Sequence, residues 1–163
     1  MDLKKHILLI AFCFSVIGCV SIDVAPETES AEGLVYKSPG GSFERRDAEN
    51  LDAYFVDKKS GNSISLKSSC FDPADPSIEN LESTAFTGMN IEKEISKEEI
   101  TYNSRAALNT RKLVKIDGVP VLVQMLIFKK NNCNYLISHV GVEKTFPNTE
   151  SNFKNFLDQL RAP

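Results

Sequence analysis

The chain has no tryptophan and only two histidines, His6 and His139, so imidazole chemistry beyond the N-terminal leader would depend on His139 alone. No serine sits in a Gly-x-Ser-x-Gly elbow, and there is no His-Glu-x-x-His pair, EF-hand loop or glycine-rich phosphate cradle. The usual signatures of a serine hydrolase, a zinc protease, a calcium sensor and a nucleotide-binding fold are therefore missing. Cysteine is limited to four residues without C-x-x-C spacing, too few and too scattered for a structural zinc site. No metal and no cofactor are expected. Positive charge is never concentrated: the net charge is −3 and the largest basic clusters are pairs such as Arg45-Arg46 and Lys129-Lys130. Nucleic-acid surfaces concentrate Lys and Arg, so no nucleic-acid partner is expected and the pairs read as solvated faces. The apolar run Ile7–Ile17 holds eleven residues, broken only by Ser15. A membrane-spanning helix needs about 20.

That short run follows Lys4, Lys5 and His6, giving the charged and apolar regions of a secretory leader. The next residues, Val16-Ile17-Gly18-Cys19, resemble the lipobox of bacterial lipoproteins: two aliphatic positions, a small residue and a cysteine. The resemblance implies cleavage between Gly18 and Cys19 and acylation of the Cys19 thiol, the nucleophile of the motif. Small Gly18 admits the peptidase, and the freed amino group of Cys19 takes a further chain. Each buried methylene is worth about 0.8 kcal/mol, so two or more chains anchor firmly where one attaches reversibly. The expected partner of this segment is a membrane, held through Cys19 without being crossed. By resemblance to lipoprotein sorting in Gram-negative cells, Val20 after the cysteine, rather than Asp, points to the outer membrane and the periplasm or exterior.

Without residues 1–18 the 163-residue chain keeps 145, a length suited to one domain. Cys13 leaves with the leader and Cys19 is acylated, so Cys70 and Cys133 remain as the two thiols. In an oxidising compartment they suggest a disulfide. A reactive or metal-binding pair is the alternative. Residues 19–33 are acidic and small without hydrophobic period and read as a lipidated N-terminus with a flexible tether; residues 34–163 form the folded domain.

Within that domain Leu51–Val56 and Ser63–Cys70 read as a hairpin. Alternation in the second run places Cys70 on the face of Ile64, Leu66 and Ser68. Asp75-Pro76 reads as N-cap and first helical position, ahead of Ile78, Leu81, Ala85 and Met89, with Gly88 near the stop. Ile91–Tyr102 reads as a charged edge strand. Arg105–Asp117 and Val119–Lys129 are strong strands joined at Asp117-Gly118, the second apolar on both parities and so central. Lys129-Lys130-Asn131-Asn132 turns the chain into a last strand, Cys133–Val142, in which Cys133, Tyr135 and Ile137 share a face. Phe153, Phe156, Leu157 and Leu160 mark a closing helix over about Thr149–Leu160, started by Pro147 and Asn148.

Strands, helix, strands, helix make an α+β domain with a largely antiparallel sheet and helices packed on its faces. The hairpin ending in Ser68-Ser69-Cys70, Asn103-Ser104-Arg105-Ala106-Ala107, Asp117-Gly118-Val119-Pro120-Val121, Lys129–Tyr135, Phe146 and the final helix are similar to the Mog1/PsbP-like group and to uncharacterised Gram-negative lipoproteins of that layout. The resemblance covers about residues 51–160 and implies an α/β/α sandwich. PsbP-like proteins serve photosynthetic assembly and Mog1-like proteins bind a small GTPase, but no residue here carries either role across.

His139 shares the face of Cys133 and Tyr135 by parity and reads as a packed, hydrogen-bonded core residue. Glu92, Glu94, Glu98 and Glu99 alternate with lysines and read as solvated charge rather than a paired-acid site. Two functions stay open. One is a non-enzymatic binding or accessory module of the envelope with a protein partner. The other is a ligand receptor or hydrolase using a pocket between sheet and helices. The missing chemical groups favour the first; a deep apolar pocket with His139 or Arg105 converging on it would favour the second.

Overall fold

A computed structural model describes residues 28–163. The leader, the lipobox and Cys19 lie outside the described residues. Seven strands form one antiparallel sheet: β1 (Phe43–Arg45), β2 (Ala53–Asp57), β3 (Ser63–Cys70), β4 (Asn90–Tyr102), β5 (Arg105–Ile116), β6 (Val119–Lys130) and β7 (Cys133–Val142). Their order across the sheet is β1-β2-β3-β7-β6-β5-β4. Two meanders, β1 to β3 and β4 to β7, thus meet where β3 pairs with β7, and the crossover between them carries α1 (Ile78–Ala85). A 3-10 turn (Phe146–Thr149) leads into α2 (Glu150–Gln159).

Tight turns set the register of the second meander. Asn103-Ser104, Asp117-Gly118 and Asn131-Asn132 all have positive φ at both positions, the geometry that suits two-residue hairpins. From Asp117-Gly118 the pairing runs Ile116↔Val119, Val114↔Val121 and on to Ala107↔Phe128 without a slip. β4 is the edge. Its side chains are mostly exposed and its pairing shifts between Ile91 and Lys93 and between Glu94 and Ser96, bulges and charges that discourage further strand addition.

The two sheet faces bury different cores. On one, Ile64, Leu66, Leu126, Phe128, Tyr135 and Ile137 pack under α2 through Phe153 and Phe156, with Phe156 edge-on to Phe55 at 5.7 Å. On the other, Val114, Val121, Val123, Met125 and Ile127 pack under Phe86 and the Ile78, Leu81 and Ala85 side of α1. β6 feeds both, which accounts for its two apolar parities.

The helix boundaries depart from the sequence reading. Asp75 and Pro76 precede α1: the N-cap is Ser77, whose hydroxyl accepts from Asn80 N at 3.2 Å. α1 stops at Ala85, and Met89 lies beyond it. The closing helix begins at Glu150, and Leu160 leaves it in an extended conformation while staying buried. β1 and the 3-10 turn had no pattern long enough to read. The expected tether also ends earlier than residue 33: Cys70 N donates to Glu29 O at 2.8 Å and Ala31 N to Ser68 Oγ at 2.8 Å. β3 outruns β2 at this point, and the segment covers the backbone of β3 that β2 leaves unpaired.

Candidate functional site

Cys70 and Cys133 are directly opposite in the β3–β7 register and joined by a disulfide, with Cα atoms 3.9 Å apart. The pair that cysteine arithmetic suggested is therefore a structural bridge in this fold. It sits beside the point where Glu29 joins the sheet.

His139 lies six residues along β7, fully buried, with Nε2 2.8 Å from Thr149 Oγ1 and its ring stacked on Phe146 and Phe153. Burial, with a smaller push from Arg111, holds its pKa down at about 4, so the ring is neutral. The Thr149 hydroxyl donates to Phe146 O at 3.2 Å and accepts from Asn62 Nδ2 at 2.8 Å. That leaves Nε2 as the donor to Thr149 and Nδ1 as a bare lone pair without a partner. A nucleophile–base pair needs the opposite polarity, with the hydroxyl donating to the ring, and a third group to orient it. The arrangement holds the 3-10 turn on the sheet instead.

Asn62 completes this node, and sequence reading missed it. Its Nδ2 donates to Thr145 O at 3.0 Å, and Thr145 Oγ1 donates to its Oδ1 at 2.9 Å. Gly141 makes room for it: a Cβ there would fall 2.4 Å from Asn62 Oδ1. Above the node lies a shallow groove of about 440 Å³ lined by Ser42, Asp57, Ser60, Thr149 and Asn152. Asp57 is buried, yet hydrogen bonds from Ser42 and Ser60 outweigh burial and keep its carboxyl below the ordinary range. It is an occupied acceptor, not a free base. Arg105 lies far from His139, on an open depression at the disulfide end shared with Asp75, Lys129 and Lys130. The two groups proposed as pocket markers do not converge.

A second charged node was also unread. Glu82, on the apolar side of α1, is buried with Oε2 2.6 Å from Lys97 Nζ and Oε1 2.7 Å from Lys112 Nζ. Burial opposes its charge, but the two ammoniums outweigh it and lower its pKa. Lys112 Nζ also lies 4.4 Å from the centre of the Phe86 ring. The spacing Ile78, Glu82, Ala85 at helical intervals was the available signal. Of the carboxylates read as solvated, Glu92 pairs with Lys115 at 2.7 Å on the surface, and the exposed Glu94 approaches the buried Lys112 at 3.5 Å.

The face under α1 is incompletely covered. α1 has eight residues, about 12 Å of helix, against twelve in each of β5 and β6, about 40 Å of strand. Val114 pairs with Ile91 and Val121, and Val121 pairs with Val142, so these share the α1 face with Ile116 and Val119 two positions on. Ile91 is 44 % exposed, Ile116 and Val119 45 %, and Val142 40 %. They form an aliphatic surface at the Asp117-Gly118 end, opposite the disulfide.

The seven-stranded antiparallel sheet with its two helices matches known structures as a fold. PsbP from the cyanobacterium Synechocystis sp. PCC 6803 superposes with a TM-score of 0.56 at 13 % identity, over 91 % of this chain and 99 % of that one. The fold is PsbP-like. LpqN of Mycobacterium tuberculosis, described as involved in cell envelope biogenesis, gives 0.59 at 7 % identity, over 80 % and 83 %. PA94 of Pseudomonas aeruginosa, of unknown function, gives 0.52 at 11 %, over 70 % and 92 %. No protein-family model matches the chain, and no curated protein sequence does. At these identities the PsbP-like likeness concerns the fold, the α+β class expected from the element order.

Proposed function

We propose that this protein is an envelope lipoprotein, acylated at Cys19 after cleavage behind Gly18, held at the outer membrane, and serving as a non-enzymatic binding or accessory module. The observation that carries the binding role is the aliphatic surface of Ile91, Ile116, Val119 and Val142, exposed on one face at the end of the sheet remote from Glu29. Side chains of this kind clustered beyond a helix too short to cover them mark an interaction surface. Its occupant is an envelope protein presenting an aliphatic patch, because the surface points away from the end at which a chain running from Cys19 arrives. LpqN, which shares the fold, has an envelope role of its own.

Two measurements test the halves separately. Cells fed an alkyne fatty acid should label the wild type and not Cys19→Ser; equal labelling refutes the anchor. A photo-crosslinking residue at Val119 should give a discrete protein adduct in cells, absent with the same residue at Asp158 on α2 and lost when Ile116→Asp is added. Adducts independent of position refute the surface.

A further inference from the structure

The disulfide end of the sheet presents a different surface. Phe71 follows Cys70 directly and is 69 % exposed, the most exposed large apolar side chain among the described residues. Its backbone is left-handed, φ 57°, a conformation that bulky residues seldom adopt. Its N–H is fixed on Asn132 O at 2.9 Å, so the β6–β7 turn and the adjacent disulfide hold the ring outward. A residue kept in a costly conformation with an apolar ring in water is a reason to look for a use.

Beside it lies the open depression of about 360 Å³ that Arg105, Lys129, Lys130 and Asp75 line with Asn131 and Asn132. Three of its four charged residues are cations, in a chain whose net charge is −3. Asp75 pairs with Lys129, and Lys130 Nζ donates to Ala162 O. Arg105 has no ion-pair partner among the described residues. Asp72 lies on the same loop as Phe71, where its carboxylate accepts from Ala74 N. Glu29 and Glu32 belong to the segment on the β2 side of β3, across β7 and β6 from Arg105.

We infer that this end of the sheet rests on an anionic lipid surface, with Phe71 among the headgroups and Arg105, Lys129 and Lys130 against their phosphates. The inference rests on the Cys19 anchor proposed above. Glu29 follows Cys19 by ten positions, a reach of at most about 35 Å. The disulfide end is the part of the domain that this tether brings to the lipid. The Asp117-Gly118 turn lies a further strand length away, about 40 Å. An aromatic ring at the interface with cations behind it is the composition that binds headgroup layers. Tethering makes even a weak contact of this kind effectively intramolecular.

The chain has no tryptophan, so Phe71→Trp supplies a single emitter. The full protein, isolated from envelopes, is reconstituted into phosphatidylcholine vesicles with brominated acyl chains, without or with roughly one third phosphatidylglycerol. An unchanged unfolding midpoint establishes that F71W folds. With phosphatidylglycerol, bromine should quench about half or more of the F71W emission and about a tenth or less of that from Val119→Trp. Adding Arg105→Glu, Lys129→Glu and Lys130→Glu should bring F71W down to the V119W level. Equal quenching at both positions, or quenching indifferent to phosphatidylglycerol, overturns the contact. So does a blue shift on adding envelope protein with none on adding lipid, which would assign the surface to a protein. The intact mass scores the anchor separately: acylated Cys19 with an unquenched F71W sinks the contact alone, whereas unacylated Cys19 sinks both.

Discussion

Replacing Glu82 with Gln would take from two ammoniums the buried carboxylate they share and leave Lys112 only the exposed Glu94, 3.5 Å away. Lys112 is the costly partner, since its side chain is 11 % exposed beneath Phe86, whereas that of Lys97 is 37 % exposed and can turn to water. Breaking a buried pair from one side costs about 3 to 5 kcal/mol. Lys97's solvation and the edge position of β4 put the expected loss at the lower bound, about 3 kcal/mol. With a urea slope of about 1 to 3 kcal/mol/M, the midpoint should fall by about 1 to 3 M at unchanged slope. The double variant Glu82→Met/Lys112→Met, apolar and close in volume, should recover most of that loss, because it removes both desolvated charges together. Acid supplies a second check. The folded pKa of Glu82 lies below its ordinary value of 4.5, so its stabilisation is complete above that value and disappears as pH falls through the lowered one. The gap between wild type and Glu82→Gln should therefore close in acid. A midpoint shift equivalent to under about 1 kcal/mol at neutral pH, or a double variant as weak as the single, would refute the reasoning.

The disulfide joins residues 63 apart in sequence, for which chain entropy gives about 4 kcal/mol; Cys70→Ala should lower the unfolding free energy by a few kcal/mol and leave Cys133 open to alkylation, read by mass spectrometry. Gly141→Ala should cost about 1 to 3 kcal/mol in urea unfolding, since its methyl would press on the Asn62 amide, and Asn62→Gly added to it should relieve the clash. The folded pKa of His139, about 4, lies below its ordinary 6.5, so the stability present above pH 6.5 should be lost at up to about 1.4 kcal/mol per unit as pH falls toward 4. NMR of its ring C2 proton should show no titration above pH 5, and a midpoint near 6.5 would contradict the buried assignment.

Short-range order was the part of this protein written locally. Period-two alternation in Ser63–Cys70, the two-parity apolar run of β6 and the dipeptides Asp117-Gly118 and Asn131-Asn132 specify strands, faces and turns, because side-chain direction and positive φ are properties of neighbouring residues. They also placed Cys70 and Cys133 inward on their strands. Helix limits were less legible: Ser77 took the N-cap from Asp75 because a two-residue difference in start changes little in the apolar stripe. Which strands become neighbours was decided only in three dimensions. The β3–β7 pairing sets Cys70 opposite Cys133, and the β4–β5–β6 register gathers Ile91, Ile116, Val119 and Val142. Asn62 meets Thr145 and Thr149, and Glu82 meets Lys112, across 83, 87 and 30 positions of sequence. Polar side chains need partners once buried, but a local pattern shows neither that Asn62 and Glu82 are buried nor which partners they meet; closing those loops depends on the whole sheet paying their entropy at once.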